Sequence, residues 1–223
     1  MTVQDGSDDK FRSLLEGEVG RMLRRSAERG FLGGMEIDEQ IRHALGFVHA
    51  VEAELGRPPR SVIDLGTGGG LPGLVLIASW TSAQVVLFDA NERRTEFLQG
   101  EIESWGVSHR VDVVRGRAEE VGRSTLYRQQ FEVATARSFG SPAVTAECGS
   151  PFVEVNGWMI VSEPPEDDSE DRWPSAGVAQ LGLVLSPRVR FDERFSYQPL
   201  QKVDEIPDRY PRRTGIPAKR PLF

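Results

Sequence analysis

The 223-residue sequence holds one cysteine, Cys148, and three histidines. A lone thiol closes no internal disulfide and anchors no cysteine zinc site, so a reducing compartment is expected. His43, His49 and His109 have no spacing that suits metal ligation or a proton relay. Each is read as structural, and no metal is expected. Long apolar runs are missing too: the longest, 71–80, is about half the length of a bilayer span. The first residues, MTVQDGSDDK, lack the basic-then-apolar order of a secretion signal. These features predict a soluble, cytoplasmic chain without a membrane partner. An excess of positive charge is also lacking. Lys plus Arg number 27 against 34 Asp plus Glu, a formal charge of −7, so any nucleic-acid contact must rest on local clusters. A hydrophobic fraction of 39% with 27% charged residues excludes a mostly disordered chain. The length suits one large α/β domain, with or without a small extension.

Apolar periodicity predicts a helix over 10–29, with Phe11, Leu15, Val19 and Met22 facing inward. Arg21, Arg25 and Arg29 then share one face, either solvated beside Glu18 and Glu28 or turned toward a polyanion. Paired glycines at 33 and 34 stop that helix, and a second spans 38–55 until Pro58 and Pro59. From Ser61 the pattern changes. Strands are expected at 61–65, 84–89, 110–115, 131–136 and 158–162. Helices are expected at 71–79, 91–104 and 142–152, with Asn91 as an N-cap. Such alternation predicts a Rossmann-like, doubly wound and mostly parallel α/β sheet. The chain thus divides into an N-terminal helical extension, 1–57, and the α/β domain, 58–223. Residues 163–172, with six acids and two prolines, read as a solvated loop. Segments 181–185 and 189–197 read as a closing hairpin turned at Pro187.

The most informative stretch is Val62-Ile63-Asp64-Leu65-Gly66-Thr67-Gly68-Gly69-Gly70-Leu71-Pro72-Gly73. Glycines between a strand and its helix let a ligand approach the backbone, because no Cβ intervenes. Read from Gly68, the stretch even satisfies the dinucleotide fingerprint G-x-G-x-x-G. Three features oppose a nicotinamide cofactor. Glycine recurs at alternate positions, Gly66, Gly68 and Gly70, two residues after Asp64. Read from Gly66, the last glycine position is Leu71. Pro72 removes an amide that a pyrophosphate would use. The pattern acid-x-Gly-x-Gly-x-Gly resembles motif I of S-adenosylmethionine-dependent methyltransferases. Asp89, nineteen residues beyond Gly70 at the end of the second strand, offers a carboxylate for two ribose hydroxyls. Asp89 marks a nucleoside site without choosing the cofactor, and capping of the next helix is its alternative role.

The segment Gly66-Thr67-Gly68-Gly69-Gly70-Leu71-Pro72-Gly73 further resembles the glycine loop of the RsmG (GidB) family. Arg117-Ala118-Glu119-Glu120 and Ala136-Arg137-Ser138-Phe139 agree with it after the third and fourth strands. Arg209-Tyr210-Pro211-Arg212-Arg213 and Gly215-Ile216-Pro217-Ala218-Lys219 resemble that family's tail. The likeness covers most of 29–223. It implies a class I methyltransferase fold and S-adenosylmethionine as cofactor. The implied substrate is N7 of a guanine in small-subunit (16S) ribosomal RNA. By motif position, Gly66, Leu71, Ala118, Glu119 and Arg137 would contact the cofactor beside Asp64, Gly68, Gly70 and Asp89. Arg137 would orient the cofactor or the target base, or else serve as an ion-pair partner. Guanine N7 carries a free lone pair, so a missing catalytic His or Cys is compatible with this reaction.

The last fifteen residues carry Arg209, Arg212, Arg213, Lys219 and Arg220 with no acid. Their removal would take the formal charge from −7 to −12, so they are the expected RNA contacts. Two departures from the family stand out. Its second helix usually reads Arg-His-x-x-Asp-Ser, whereas Arg42-His43 is followed by Ala44-Leu45-Gly46-Phe47. Its fifth strand commonly ends in lysine and glycine, whereas here Ser162-Glu163 places an anion. A methyltransferase of this fold acting on a small molecule is the alternative that an acidic loop would suit.

Overall fold

A computed structural model describes residues 3–164 and 172–223 of the chain. The strands are β1 Ser61–Leu65, β2 Gln84–Asp89, β3 Val111–Arg115, β4 Phe131–Ala136 and β5 Val153–Glu163. They are followed by β6 Leu183–Leu185, β7 Val189–Phe191 and β8 Phe195–Lys202. These strands join in one sheet ordered β3-β2-β1-β4-β5-β8-β6, with β7 also on β8. The first five are parallel, and β8 runs antiparallel to β5. Chain order reverses between β1 and β4, which opens a crevice at their carboxyl ends where ligands bind in such sheets.

The α-helices are α1 Val3–Glu16, α2 Glu18–Glu28, α3 Ile37–Leu55, α4 Gly73–Ser79 and α5 Glu92–Trp105. The later ones are α6 Ala118–Val121, α7 Pro142–Gly149, α8 Ser175–Ala179 and α9 Ile216–Lys219. Alternation along β1 sends Val62 to one face of the sheet and Ile63 and Leu65 to the other. The Val62 face packs Leu14, Met22, Leu23, Ile41 and Phe47 from α1, α2 and α3 against Leu74 and Leu98. The N-terminal helices therefore share one apolar cluster with the sheet.

Three expectations change. The continuous helix over 10–29 is two helices broken at Gly17. A Cβ there would lie 2.4 Å from the Ser13 carbonyl oxygen, so the backbone closes too tightly for a side chain. Apolar spacing runs unbroken through the turn and hides it. Second, β6 and β7 do not pair with each other; both lie on β8. The hairpin reverses at Asp192 and Glu193, whose φ angles of 51° and 53° are left-handed, rather than at Pro187. Third, the fifth strand begins at Val153. Most of the acidic loop, residues 165–171, lies outside the described residues.

The helix-face arginines find partners. Arg21 and Arg25 pair with Glu18, Arg25 also pairs with Glu101 on α5, and Arg29 lies 5.0 Å over the Phe97 ring. Asn91 does cap α5, accepting from the Arg94 amide at 3.2 Å.

Lys202, at the end of β8, is fully buried. Its Nζ donates to Ser150 Oγ at 2.7 Å, the Leu181 carbonyl at 3.1 Å and the Ser150 carbonyl at 3.3 Å. Burial, aided by the charge of Arg128, pulls its pKa down from 10.5 to about 7. Unfolding then takes up a proton between those two values, so this lysine makes stability rise with pH from about 7 to 10. The limit is about 1.4 kcal/mol per pH unit. Lys202→Met is expected to remove that slope. Urea midpoints of both proteins at pH 7, 8 and 9 test it, and parallel pH profiles would contradict the assignment.

Candidate active site

The chain leaves β1 into the glycine turn with Gly66, Gly68 and Gly70 at φ of 67°, 58° and 107°. These left-handed values at alternate positions explain the alternation in the sequence. Gly66 is constrained twice, because a Cβ there would also lie 2.8 Å from the Phe139 ring. Asp64 stands behind the turn, wholly buried. Its carboxylate accepts from the Gly73 amide at 2.9 Å and the Thr135 hydroxyl at 2.8 Å, fastening the start of α4 to β4. Burial pushes its pKa up to about 6, against the hydrogen bonds and the charge of Arg137. Gly70 and Leu71 are also buried.

Asp89 closes β2 as the sequence suggested, but its carboxylate already has a local task. Oδ2 accepts from the Gly68 amide at 2.9 Å and Oδ1 from the Asn91 amide at 2.8 Å. The acid thus joins the glycine turn to the start of α5. It also lines a cavity of about 230 Å³ with Gly66, Ala118, Glu119, Ser138 and Phe139. Of the residues the sequence singled out, the structure gathers Gly66, Asp89, Ala118 and Glu119 around this space. Gly68 borders them through Asp89. Asp64, Gly70 and Leu71 shape the turn from behind. Arg94 of α5, which the sequence did not mark, lines the same cavity, as does Arg117 of the motif after β3, which was not assigned to the cofactor.

Glu119 is held by the tail: its Oε1 accepts from the Gly215 amide at 2.9 Å, and Glu120 accepts from the Thr214 hydroxyl at 2.8 Å. The basic tail is therefore folded onto the body. Within it Arg212 faces inward, its guanidinium meeting the fully buried Glu147 carboxylate at 2.7 Å. That pairing removes Arg212 from the exposed basic set. Arg209, Arg213, Lys219 and Arg220 are exposed.

Arg137 follows β4 and reaches toward α3, where Nη2 donates to Gln40 Oε1 at 3.3 Å. Among the described residues its Nη1 is buried without a hydrogen-bond partner. Burial lowers its pKa, and the Asp64 carboxylate acts in the opposite direction. His43 lies on the same face of α3, stacked on Phe195 at 4.8 Å. Burial first, then the charge of Arg137, draws its pKa down to about 3, so it stays neutral. Cys148 is buried and burial pushes its thiol up, which leaves it unreactive at neutral pH.

Both departures from the family pattern have structural counterparts. The space that a side chain at Gly46 would fill is taken by Tyr197 of β8. A Cβ at 46 would lie 2.1 Å from the phenol oxygen, which donates to the His43 carbonyl at 2.5 Å. Glu163, read as an anion in a solvated loop, is instead buried. Its oxygens accept from Arg172 Nε at 2.7 Å and Trp173 Nε1 at 2.8 Å. The group beside it is thus a cation. Glu163, Arg172 and Trp173 line a second cavity of about 260 Å³ with His43 and Pro142. Ser138 and Phe139 form a wall common to both cavities.

Sheet order, glycine turn and the acid ending β2 define a class I S-adenosylmethionine-dependent methyltransferase. Solved structures of similar fold agree. An O-methyltransferase from Bacillus cereus, solved in complex with SAH, aligns with a TM-score of 0.58 at 14% identity, covering 84% of this chain and 90% of that one. Geranyl diphosphate C-methyltransferase from Streptomyces coelicolor aligns at 0.53 and 12%, covering 71% and 79%. The sequence matches the GidB family, described as rRNA small subunit methyltransferase G, over residues 27–172. The Ribosomal RNA small subunit methyltransferase G of Rubrobacter xylanophilus is 36% identical over 94% of this chain and 83% of its own length. That of Leuconostoc citreum is 35% identical over 73% and 69%. The chain belongs to the GidB family of small-subunit rRNA methyltransferases. No helix among the described residues is long and apolar enough to cross a membrane.

Proposed function

We propose that this protein transfers a methyl group from S-adenosylmethionine to N7 of a guanine in 16S ribosomal RNA, acting in the cytoplasm on the small subunit. The observation that carries this reading is the pair of cavities that share Ser138 and Phe139 in their walls, one lined by Gly66 of the glycine turn and one by His43 of α3.

The residues present fit the cofactor. Gly66, where a Cβ would collide with the Phe139 ring, lines the cavity with backbone alone, Asp89 presents a buried carboxylate, and Ala118 and Glu119 complete the lining. We assign the cofactor to these residues with Gly68, with Asp64, Gly70 and Leu71 setting the turn. When bound, S-adenosylmethionine supplies an electrophilic methyl group on a sulfonium. The chain's own part is alignment, because N7 needs no base to free its lone pair and orientation accounts for most of the acceleration. Neutral His43 and buried Cys148 take no proton. Arg137, with Nη1 buried and Asp64 beside it, orients the reacting groups. Arg209, Arg213, Lys219 and Arg220 contact RNA phosphates.

The test uses tritiated S-adenosylmethionine and small subunits from cells lacking this methyltransferase. Label mapped to N7-methylguanine in the 16S RNA is expected. No label, with cofactor binding intact, would overturn the substrate. Arg137→Ala is expected to lower kcat/KM about 100-fold, the scale of losing one charged group at a reaction centre. Full turnover with unchanged cofactor affinity would remove that role.

A further inference from the structure

Gly66, Gly68 and Gly70 owe their identity to positive φ angles, but Gly69 among them does not. A Cβ at 69 would lie 2.2 Å from Ser26 Oγ, 2.6 Å from Leu32 Cδ2 and 3.0 Å from the Phe31 carbonyl oxygen. The end of α2 and the loop after it therefore require this glycine. Ser26, fully buried in the last turn of α2, donates its hydroxyl to the Gly69 carbonyl at 2.9 Å. That carbonyl shares a planar peptide with the Gly70 amide, which donates to the Thr67 carbonyl at 2.8 Å. The 69–70 peptide is thus held at both ends, and Asp89 holds the Gly68 amide at 2.9 Å. Between these fixed points the Gly69 amide has no hydrogen-bond partner among the described residues. The serine acts from a firm base. The Phe31 amide returns to the Ser26 carbonyl at 3.0 Å, Arg25 pairs with Glu101 of α5, and the Phe31 ring sits 5.6 Å from that of Phe97. α5 is the helix whose start Asp89 holds.

Resting on the cofactor assignment above, we propose that Ser26 is a positioning residue for S-adenosylmethionine: through the Gly69 carbonyl it holds the glycine turn in the shape the cofactor meets. The N-terminal extension is then part of the cofactor site. Three consecutive glycines have more backbone freedom than other residues would, and a ligand meeting them loose would have to order them on binding. The serine hydroxyl removes that cost in advance. Ser26 does not line the cavity, so it acts through the turn.

A purely structural hydroxyl would move the melting temperature alone, whereas a positioning one also moves cofactor affinity. Ser26→Ala is expected to raise Kd and KM for S-adenosylmethionine about tenfold, the scale of one buried hydrogen bond. kcat at saturating cofactor and KM for RNA should stay within twofold of wild type. Ser26→Cys, which keeps a weak donor, should recover part of the loss. Gly69→Ala drives a Cβ into Ser26 and should weaken binding further. Because alanine at 26 removes the first atom struck, S26A/G69A should lose less affinity than the two single losses combined. A Kd for Ser26→Ala within twofold of wild type would overturn the proposal, as would strict additivity in the double variant. Asp89→Ala, run alongside, separates the two readings. If it too binds the cofactor like wild type, the cofactor assignment fails. If Asp89→Ala loses binding while Ser26→Ala keeps it, only the role of Ser26 fails.

Discussion

Asp89→Ala is expected to weaken S-adenosylmethionine binding by about 100-fold or more, read by calorimetry. Asp89 is 6% exposed and lines the cavity proposed above for the cofactor, while its carboxylate accepts the Gly68 and Asn91 amides. Hydrogen bonds to a charged acceptor contribute about 1.5–3 kcal/mol each. Loss of the two bonds to ribose hydroxyls proposed for it would thus exceed the roughly 2.8 kcal/mol that corresponds to 100-fold. The loop adds to the effect, because alanine frees the Gly68 amide and with it the turn that the ligand must meet in a fixed shape. Asp89→Asn keeps the size but turns one acceptor into a donor facing the amides, so an intermediate loss is expected. Binding of Asp89→Ala within threefold of wild type would restrict this acid to fastening the start of α5.

The second large effect concerns stability. Glu147→Ala is expected to lower stability by about 3 kcal/mol, the lower end of the cost of breaking a buried ion pair from one side. The lower end applies because the Arg212 side chain is 26% exposed and recovers some hydration. For a chain of this size that corresponds to a fall in melting temperature of about 6–12 °C. The bond set is dense: both carboxylate oxygens accept from the guanidinium, and Oε1 also accepts the Arg212 amide at 2.8 Å. Arg212 fixes the tail whose Gly215 amide holds Glu119, so cofactor affinity should fall a few-fold with stability. The double variant E147A/R212A should be less destabilised than the sum of its parts. A melting temperature within 2 °C of wild type for Glu147→Ala would show that the tail is anchored by other contacts.

Much of the fold was legible because its signals are local. Strand–glycine turn–helix from Ser61 to Ser79 appears in sequence as an apolar run, glycines where φ must be positive, and an apolar helix. The Asn91 cap and the acid at the end of β2 are likewise set by neighbours within a few residues. The break at Gly17 was not legible, since a helical apolar stripe looks the same on either side of a tight turn.

The charges of the site illustrate the remaining gap. Glu163 reads as an exposed anion, Arg212 as an RNA contact and Gly46 as a lost acid. Each changes meaning through a residue that is far along the chain or reached by a return of the backbone: Arg172, Glu147 and Tyr197. A charge acts on a ligand only as far as it remains unpaired and accessible, and pairing between segments is settled when they pack. By itself, then, the sequence determined the alternation of strands and helices, the glycine turn and the acid facing it, because backbone sterics and short-range hydrogen bonds fix those locally. The tertiary structure alone decided which charges face the cavities, since burial and partner choice follow from the packing of β5, β8 and the tail.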